Sequence, residues 1–568
     1  MQVASPLPQR QPSSLAFPKL AMLMEERTLV GAHVLTGMLA LLLGSLMGPF
    51  QTFRRSPFVK EAFPDLQIPF FSFYYQALTI HGVMNALFFT TFFIVGFTYF
   101  ITQRSLERPL WNRTLAWVSY AMMFVGLALV LFAIGSGQAS VLYTFYPSLV
   151  AHPTFYIGLV LLVVGSWLVG ANVFMTYAAW RKEHPGERVP LAVFAAIANF
   201  IMWIVATFGV AVEVLFMLLP LSLGWLKTTD PQMGRVLFWF FGHPLVYFWL
   251  IPAYISWYTM LPKQVGSKLF SDGLARVAFL MLVIFSVPVG VHHLFSDPGV
   301  SSVMKGIHTV FTFVVAVPSF LTAFNIGATL ERAGRQRGAR RALDWLWHQD
   351  FGNPVVAAQL AGMILFIAGG FSGIIQASLT LNIALHNTSW VPGHFHMTLA
   401  GAVTLTYIGI AYWIVPLIRN RALWSKKVAL AQIYTWLVGM LIFGHGMGAA
   451  GIAGVPRRTD LSNAPYVNPD AAFFLNTSAI SGVILLISLV LLLVNLVGTL
   501  FFSKEPVTEG APVDTVGPAG SPLWLERWGL WVGIILVLAA VAWLPVVADA
   551  LGTFASPGYT PFVPNPLK

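Results

Sequence analysis

The chain has 568 residues, of which 57% are hydrophobic and only 9% charged, with a mean hydropathy of +0.75 and a formal net charge of +11. Soluble domains carry about 25% charged residues, so the composition excludes a soluble globular protein and indicates an all-α polytopic membrane protein. There is no cysteine, which excludes disulfides, iron–sulfur clusters and thiolate metal sites and leaves His, Met or carboxylate to hold any metal.

The first residues, MQVASPLPQRQPSS, lack the basic-then-apolar layout of a cleaved signal peptide. A membrane span needs about 20 mainly apolar residues. Thirteen such runs follow, at roughly 28–50, 72–102, 114–136, 152–180, 190–222, 234–262, 275–295, 305–331, 352–378, 391–418, 428–453, 473–502 and 528–553. They divide the chain into an N-terminal segment, 1–27, a helical bundle, 28–553, and a C-terminal tail, 554–568. Of the 32 Lys and Arg residues, 23 fall on the side of the N-terminus and 9 on the other. The positive-inside rule therefore predicts a cytoplasmic N-terminus and an outside C-terminus. Basic residues spread over loops in this way suit anionic lipid and not nucleic acid.

Six of the thirteen histidines fall inside spans at one matched depth. His81 (YYQALTIHGVMNA) lies about nine residues into span 2 and His243 (FWFFGHPLVYFWL) about nine into span 6. His292 and His293 (VPVGVHHLF) lie near the end of span 7, and His394 and His396 (VPGHFHMTLAG) open span 10. Alternation of direction brings all six to the outer part of the membrane. A lone intramembrane histidine is most simply a hydrogen-bonded structural residue, and His33, His308 and His445 are read that way. Six at one depth, where polar groups are costly, indicate metal ligation.

His394 and His396 are two residues apart, about 200° on a helix, so span 10 divides two sites. Imidazoles without carboxylate or thiolate suit haem iron and copper. A haem with two His ligands is closed and transfers electrons, and one with a single His leaves a position for a gas. On that count His81 with His396 closes one haem, His394 holds the second, and His243, His292 and His293 remain for one copper.

GHPLVY at 242–247, the HH pair at 292–293, GHFH at 393–396 and YYQALTIHG upstream together resemble subunit I of the haem–copper oxidase superfamily, with the B-type (ba3-type) branch the most similar. The resemblance covers essentially the whole chain and implies a catalytic subunit of a terminal respiratory oxidase, a cytochrome c oxidase that reduces O2 to water, takes protons from the cytoplasm and pumps others. It implies two haems, the low-spin one b-type with His81 and His396, the high-spin one a-type with His394, and one copper ion (CuB) on His243, His292 and His293. It further implies that Tyr247 is cross-linked to His243, which a spacing of four residues on one helix face permits. The implied partners are a subunit II carrying a CuA centre, a small third subunit and cytochrome c or a similar donor. The implied setting is the inner (plasma) membrane of a prokaryote.

Splitting O2 needs four electrons and a proton delivered together, and Tyr247 has the position to give the last electron and a proton. Tyr247, Tyr254 and Tyr258 lie within about 20° of one helical stripe, and span 8 carries Ser319 and Thr322 on neighbouring turns. These hydroxyls resemble the B-type proton channel. Leu245 stands where A-type members carry a glutamate, and the Asn…Asp pattern at the mouth of their second channel is lacking, so one input channel is expected. Arg457 and Arg458 (GVPRR) break the positive-inside pattern and suit haem propionates, with His386 (LHNTSW) in the same network. Neighbouring Asn382 is an acid in some relatives. Glu213 (VAVEVLF) is an intramembrane carboxylate with no evident partner. Nitric oxide reductase of the same superfamily is the competing reading, opposed by Tyr247 and by Leu245. A haem-free secondary transporter leaves the six histidines unexplained.

Overall fold

The computed structural model describes residues 24–66, 73–461, 468–508, 512–515, 517 and 520–553. Most of the N-terminal segment 1–27 and the whole tail 554–568 lie outside the described residues. Thirteen helices are long and apolar enough to cross a membrane, as the sequence predicts. In chain order they are α1 (Glu26–Arg55), α2 (Tyr74–Leu106), α3 (Arg113–Gly135), α4 (Pro153–Glu183), α5 (Leu191–Ser222), α6 (Pro231–Gln264), α7 (Asp272–Leu294), α8 (Ser302–Gln336), α9 (Pro354–Ala377), α10 (Trp390–Arg419), α11 (Lys426–Ile452), α12 (Pro469–Phe502) and α13 (Trp528–Leu551). No strand forms among the described residues, since only helices can satisfy every backbone group within one span.

Local chemistry sets many starts. Asp230 Oδ1 accepts from the amides of Gln232 and Met233, and Asn353 Oδ1 accepts from Val355 N. In both cases a proline follows as the first helical residue, where its missing N–H costs nothing. Asn112 and Ser425 cap α3 and α11 in the same way without the proline. Small residues set close crossings: a Cβ on Gly126 of α3 would lie 2.5 Å from the Gly158 carbonyl of α4.

The arrangement centres on α10, whose apolar stretch is wholly enclosed by other helices. Just after the GHFH motif, His396–Val403 forms a wide π-helical stretch, a feature common at functional sites. We call the end of the bundle at which the even-numbered helices begin its upper end.

One element differs from the sequence expectation. The regular helix of α7 stops at Ser286, and His292 and His293 stand on a separate 3-10 turn, Val291–Leu294. Pro288 has no N–H to continue the ladder, and Gly290 takes φ 152°. The paired histidines are therefore presented by a bend, not by the last turn of a span.

Candidate functional site

One cavity of ≈ 620 Å3 lies in the upper half of the bundle, and all six matched histidines line it. Its wall is mostly apolar, and its size is that of a large cofactor site. Three helices, α2, α6 and α10, and the α7 turn supply these histidines.

His81 on α2 lies with Nδ1 2.9 Å from the Gly44 carbonyl of α1. His396 on α10 has Nδ1 2.8 Å from the Pro392 carbonyl. A carbonyl only accepts, so each Nδ1 carries the proton and each Nε2 is left unprotonated and able to bind a metal. The two rings are nearly parallel, with centroids 6.0 Å apart and planes 9° from each other. His394 points the other way. Its Nδ1–H donates to the Gly369 carbonyl of α9 at 2.9 Å, with the Ser372 hydroxyl 3.0 Å away. A Cβ on Gly373 would lie 2.7 Å from this ring, so the glycine is what admits it. The two-residue spacing thus separates the imidazoles of His394 and His396 as expected.

His243, His292 and His293 come together with one nitrogen of each within 4.8 Å of the others. Ring centroids are 4.5 Å apart for His243 and His292, and 4.2 Å for His292 and His293. The Thr312 hydroxyl lies 3.1 Å from His292 Nδ1. Trp239 stacks on His293 at 3.7 Å, one helical turn before His243. Nε2 of His243 and Nε2 of His293 are buried and have no hydrogen-bond partner among the described residues. Buried imidazole nitrogens left open in this way fit a metal ion. The phenol ring of Tyr247 lies 5.2 Å from the His243 ring.

The tyrosine stripe runs down α6 away from this cluster. Tyr254 Oη donates to Ser319 Oγ at 3.1 Å, and Tyr258 Oη donates to Thr322 Oγ1 at 2.7 Å, both across to α8. The stripe is thus bridged to α8 at two successive turns, below the Tyr247 phenol.

Arg457 and Arg458 face the upper end of the cavity. Arg458 donates to the hydroxyls of Tyr146 at 3.3 Å and Tyr143 at 3.4 Å, and Arg457 donates to Asn387 Oδ1 at 2.8 Å. Burial, and then the Arg458 charge, push Arg457 down to about 10. His386 donates from Nδ1 to Asn382 Oδ1 at 2.8 Å, and burial followed by the Arg457 charge holds it down at about 4. Two guanidiniums partly removed from water are a strong attraction for carboxylates.

Sequence reasoning did not single out Tyr143, Tyr146 or Thr312. The TFYP loop before α4 carried a signal, an aromatic cluster at the depth of the arginine pair, but Thr312 had none. Glu213 on α5 is fully buried, and neither carboxylate oxygen has a partner among the described residues. His33 Nδ1–H donates to the Leu29 carbonyl at 2.9 Å, in line with a structural role.

The chain matches the family model described as cytochrome c and quinol oxidase polypeptide I over residues 28–484. It is 39% identical over 528 residues to cytochrome c oxidase subunit 1 of Thermus thermophilus, covering 91% of this chain and 93% of that one. It is 26% identical over 417 residues to quinol oxidase subunit 1 of Sulfolobus acidocaldarius, covering 68% and 74%. Among solved structures it resembles a haem–copper terminal oxidase dimer determined by cryo-EM, with a TM-score of 0.87, 37% identity and coverage of 95% and 96%.

Proposed function

The chain belongs to the cytochrome c and quinol oxidase polypeptide I family, as subunit I of a haem–copper oxidase, and we propose that its six matched histidines divide between two haems and one copper ion. His81 and His396 close the low-spin haem, proposed as b-type. His394 alone holds the high-spin haem, proposed as a-type. His243, His292 and His293 hold the copper. The observation that carries this reading is the three-histidine cluster, with nitrogens within 4.8 Å, sharing one cavity with His394.

When bound, the open haem iron and the copper supply the electrons that reduce O2. The chain's own residues do the rest. The carbonyls of Gly44, Pro392 and Gly369 fix the tautomers of the three haem-facing histidines. The Tyr247 phenol, beside His243, holds one proton and can give it up with one electron. Tyr254, Tyr258, Ser319 and Thr322 carry protons toward Tyr247 from the lower end of the bundle. Arg457, Arg458 and His386 would receive the haem propionates at the upper end, where guanidiniums partly removed from water neutralise carboxylates. The apolar cavity wall keeps water from the reacting centre.

The basic-residue distribution supports an orientation with the N-terminus in the cytoplasm of a prokaryotic cell and the C-terminus outside. The lack of cysteine means that electrons enter through a partner. The partner is a subunit II with a CuA centre, fed by cytochrome c or a similar donor, and a small third subunit completes the complex. The test is the purified complex given reduced cytochrome c. It should consume four electrons per O2 and contain two haems and one copper per subunit I beyond those of subunit II. A preparation with full haem and no such copper would refute the assignment of the three histidines.

A further inference from the structure

The last helix, α13, is mostly turned to the surroundings: Leu544 is 65% exposed and Val541 56%. Between them Trp543 and Ala542 are buried, and both touch the machinery that carries the copper ligands. The Trp543 indole N–H donates to the Val287 carbonyl at 2.7 Å. Val287 follows the last helical residue of α7, where Pro288 leaves carbonyls without an intrahelical donor. The same indole fills the space over Gly290, where a Cβ would lie 2.7 Å from the ring and 2.7 Å from the Trp239 carbonyl. Gly290 takes φ 152°, which also disfavours any side chain there. Trp543 therefore clamps the bend that presents His292 and His293.

The neighbouring Ala542 is linked to His292 by way of α8. Pro545 has no N–H for the Val541 carbonyl one turn before it, which loosens the ladder of α13 at this level. The Ala542 carbonyl accepts from His308 Nε2–H on α8 at 2.9 Å. The His308 carbonyl accepts from the Thr312 hydroxyl at 2.6 Å, and that hydroxyl lies 3.1 Å from His292 Nδ1. From α13 the contacts thus run through the His308 side chain, that residue's own backbone carbonyl and the Thr312 hydroxyl to His292 Nδ1, which leaves His292 Nε2 directed to the cluster.

We propose that α13 is a positioning element of the copper centre, in which Trp543 fixes the Val287–Gly290 bend and Ala542, through His308 and Thr312, fixes the His292 ring. This rests on the assignment of His243, His292 and His293 to copper. None of the four residues is a metal ligand. Their effect is on the geometry and retention of the ion, because partners of this kind typically govern metal affinity by 10–100-fold.

The experiment uses the whole purified complex and compares Trp543→Phe, His308→Leu, His308→Gln and Leu544→Ala at equal low-spin haem content. Copper is followed by its rate of loss to a cuprous chelator and by the C–O stretch of carbon monoxide photolysed onto it in frozen protein. Loss of one charge-free hydrogen bond should speed copper loss by about tenfold in Trp543→Phe and in His308→Leu, and shift the C–O band. His308→Gln keeps a donor and should stay within about threefold of the parent. Leu544→Ala, on the exposed face of the same helix, should match the parent, which separates these contacts from insertion of the helix as such. Parental copper loss and an unshifted band in both Trp543→Phe and His308→Leu would overturn the proposal. A parent complex without this copper would overturn the site assignment instead, so the two failures are distinct.

Discussion

Tyr258 and Thr322 join α6 to α8: the phenol donates to the Thr322 hydroxyl at 2.7 Å, and that hydroxyl donates onward to the Pro318 carbonyl at 2.8 Å. One turn closer to the histidines, Tyr254 meets Ser319 in the same manner. The two bridges place four hydroxyls on successive turns below Tyr247. The first prediction follows from their order. Tyr247→Phe should keep both haem spectra and lose turnover by about 100-fold or more, the usual scale for a lost proton donor. Tyr254→Phe should only slow turnover a few-fold, because a water can bridge a missing hydroxyl at small cost. Steady-state O2 consumption of the two variants at equal haem content decides it. Near-parental turnover in Tyr247→Phe would remove the phenol from the reaction, and a more damaged Tyr254→Phe would reverse the order of the path.

The unequal ligand count predicts two haems of different spin. Exposed to carbon monoxide, the reduced protein should shift the spectrum of one haem and leave the other unchanged. A shift in both would mean that His81 and His396 do not close one iron between them.

Removal of a single copper ligand should be selective. His292→Ala should lose most of its copper and its O2 reduction, yet keep both haems, since the histidines proposed for the haems stand on α2 and α10 and not on the α7 turn. Metal analysis of the purified variant tests this. Full retention of copper would refute ligation by His292.

Asn382 links the arginine end of the site to the copper turn. Its Nδ2 donates to the His292 carbonyl at 3.2 Å and the Gln376 carbonyl at 2.7 Å, while its Oδ1 accepts from His386. Asn382→Asp replaces the two N–H donors that face two carbonyls with at most one O–H, a loss of about 1–3 kcal/mol. The new carboxyl is held in its neutral form, with a folded-state pKa above its unfolded value of about 3.9. A raised acid pKa means that the penalty is absent below the unfolded value and grows as pH rises through the folded one. The variant should therefore lose haem on heating sooner than the parent at pH 7, and the gap should narrow toward pH 4.5. A gap independent of pH would show that the side chain is not buried against those carbonyls.

Much of this protein follows from its sequence alone. Apolar runs of about 20 residues or more must be helices in a bilayer, and thirteen were legible with their ends near the observed ones. Asp230-Pro231 and Asn353-Pro354 announce helix starts because a capping oxygen and a proline act locally. The depth of each histidine could be counted from the start of its own span, and the two-residue gap between His394 and His396 fixes opposite directions through the helical period alone. The Tyr247–Tyr254–Tyr258 stripe is the same kind of one-helix inference.

What the tertiary structure decided are relations between helices far apart in the chain. His308 reads as a solitary structural histidine, and its partner, the Ala542 carbonyl, lies 234 residues away. A backbone carbonyl leaves no mark in residue identity. Thr312 was equally silent, because any threonine in a helix can bond its own backbone, and only the fold brings its hydroxyl to His292. The bend at Val287 was half legible: Pro288 and Gly290 announce a break, but not that Trp543 covers it. Periodicity and capping act over a few residues and can be read in order. Which faces meet across the bundle depends on the packing of all thirteen helices together, and no local pattern carries that information.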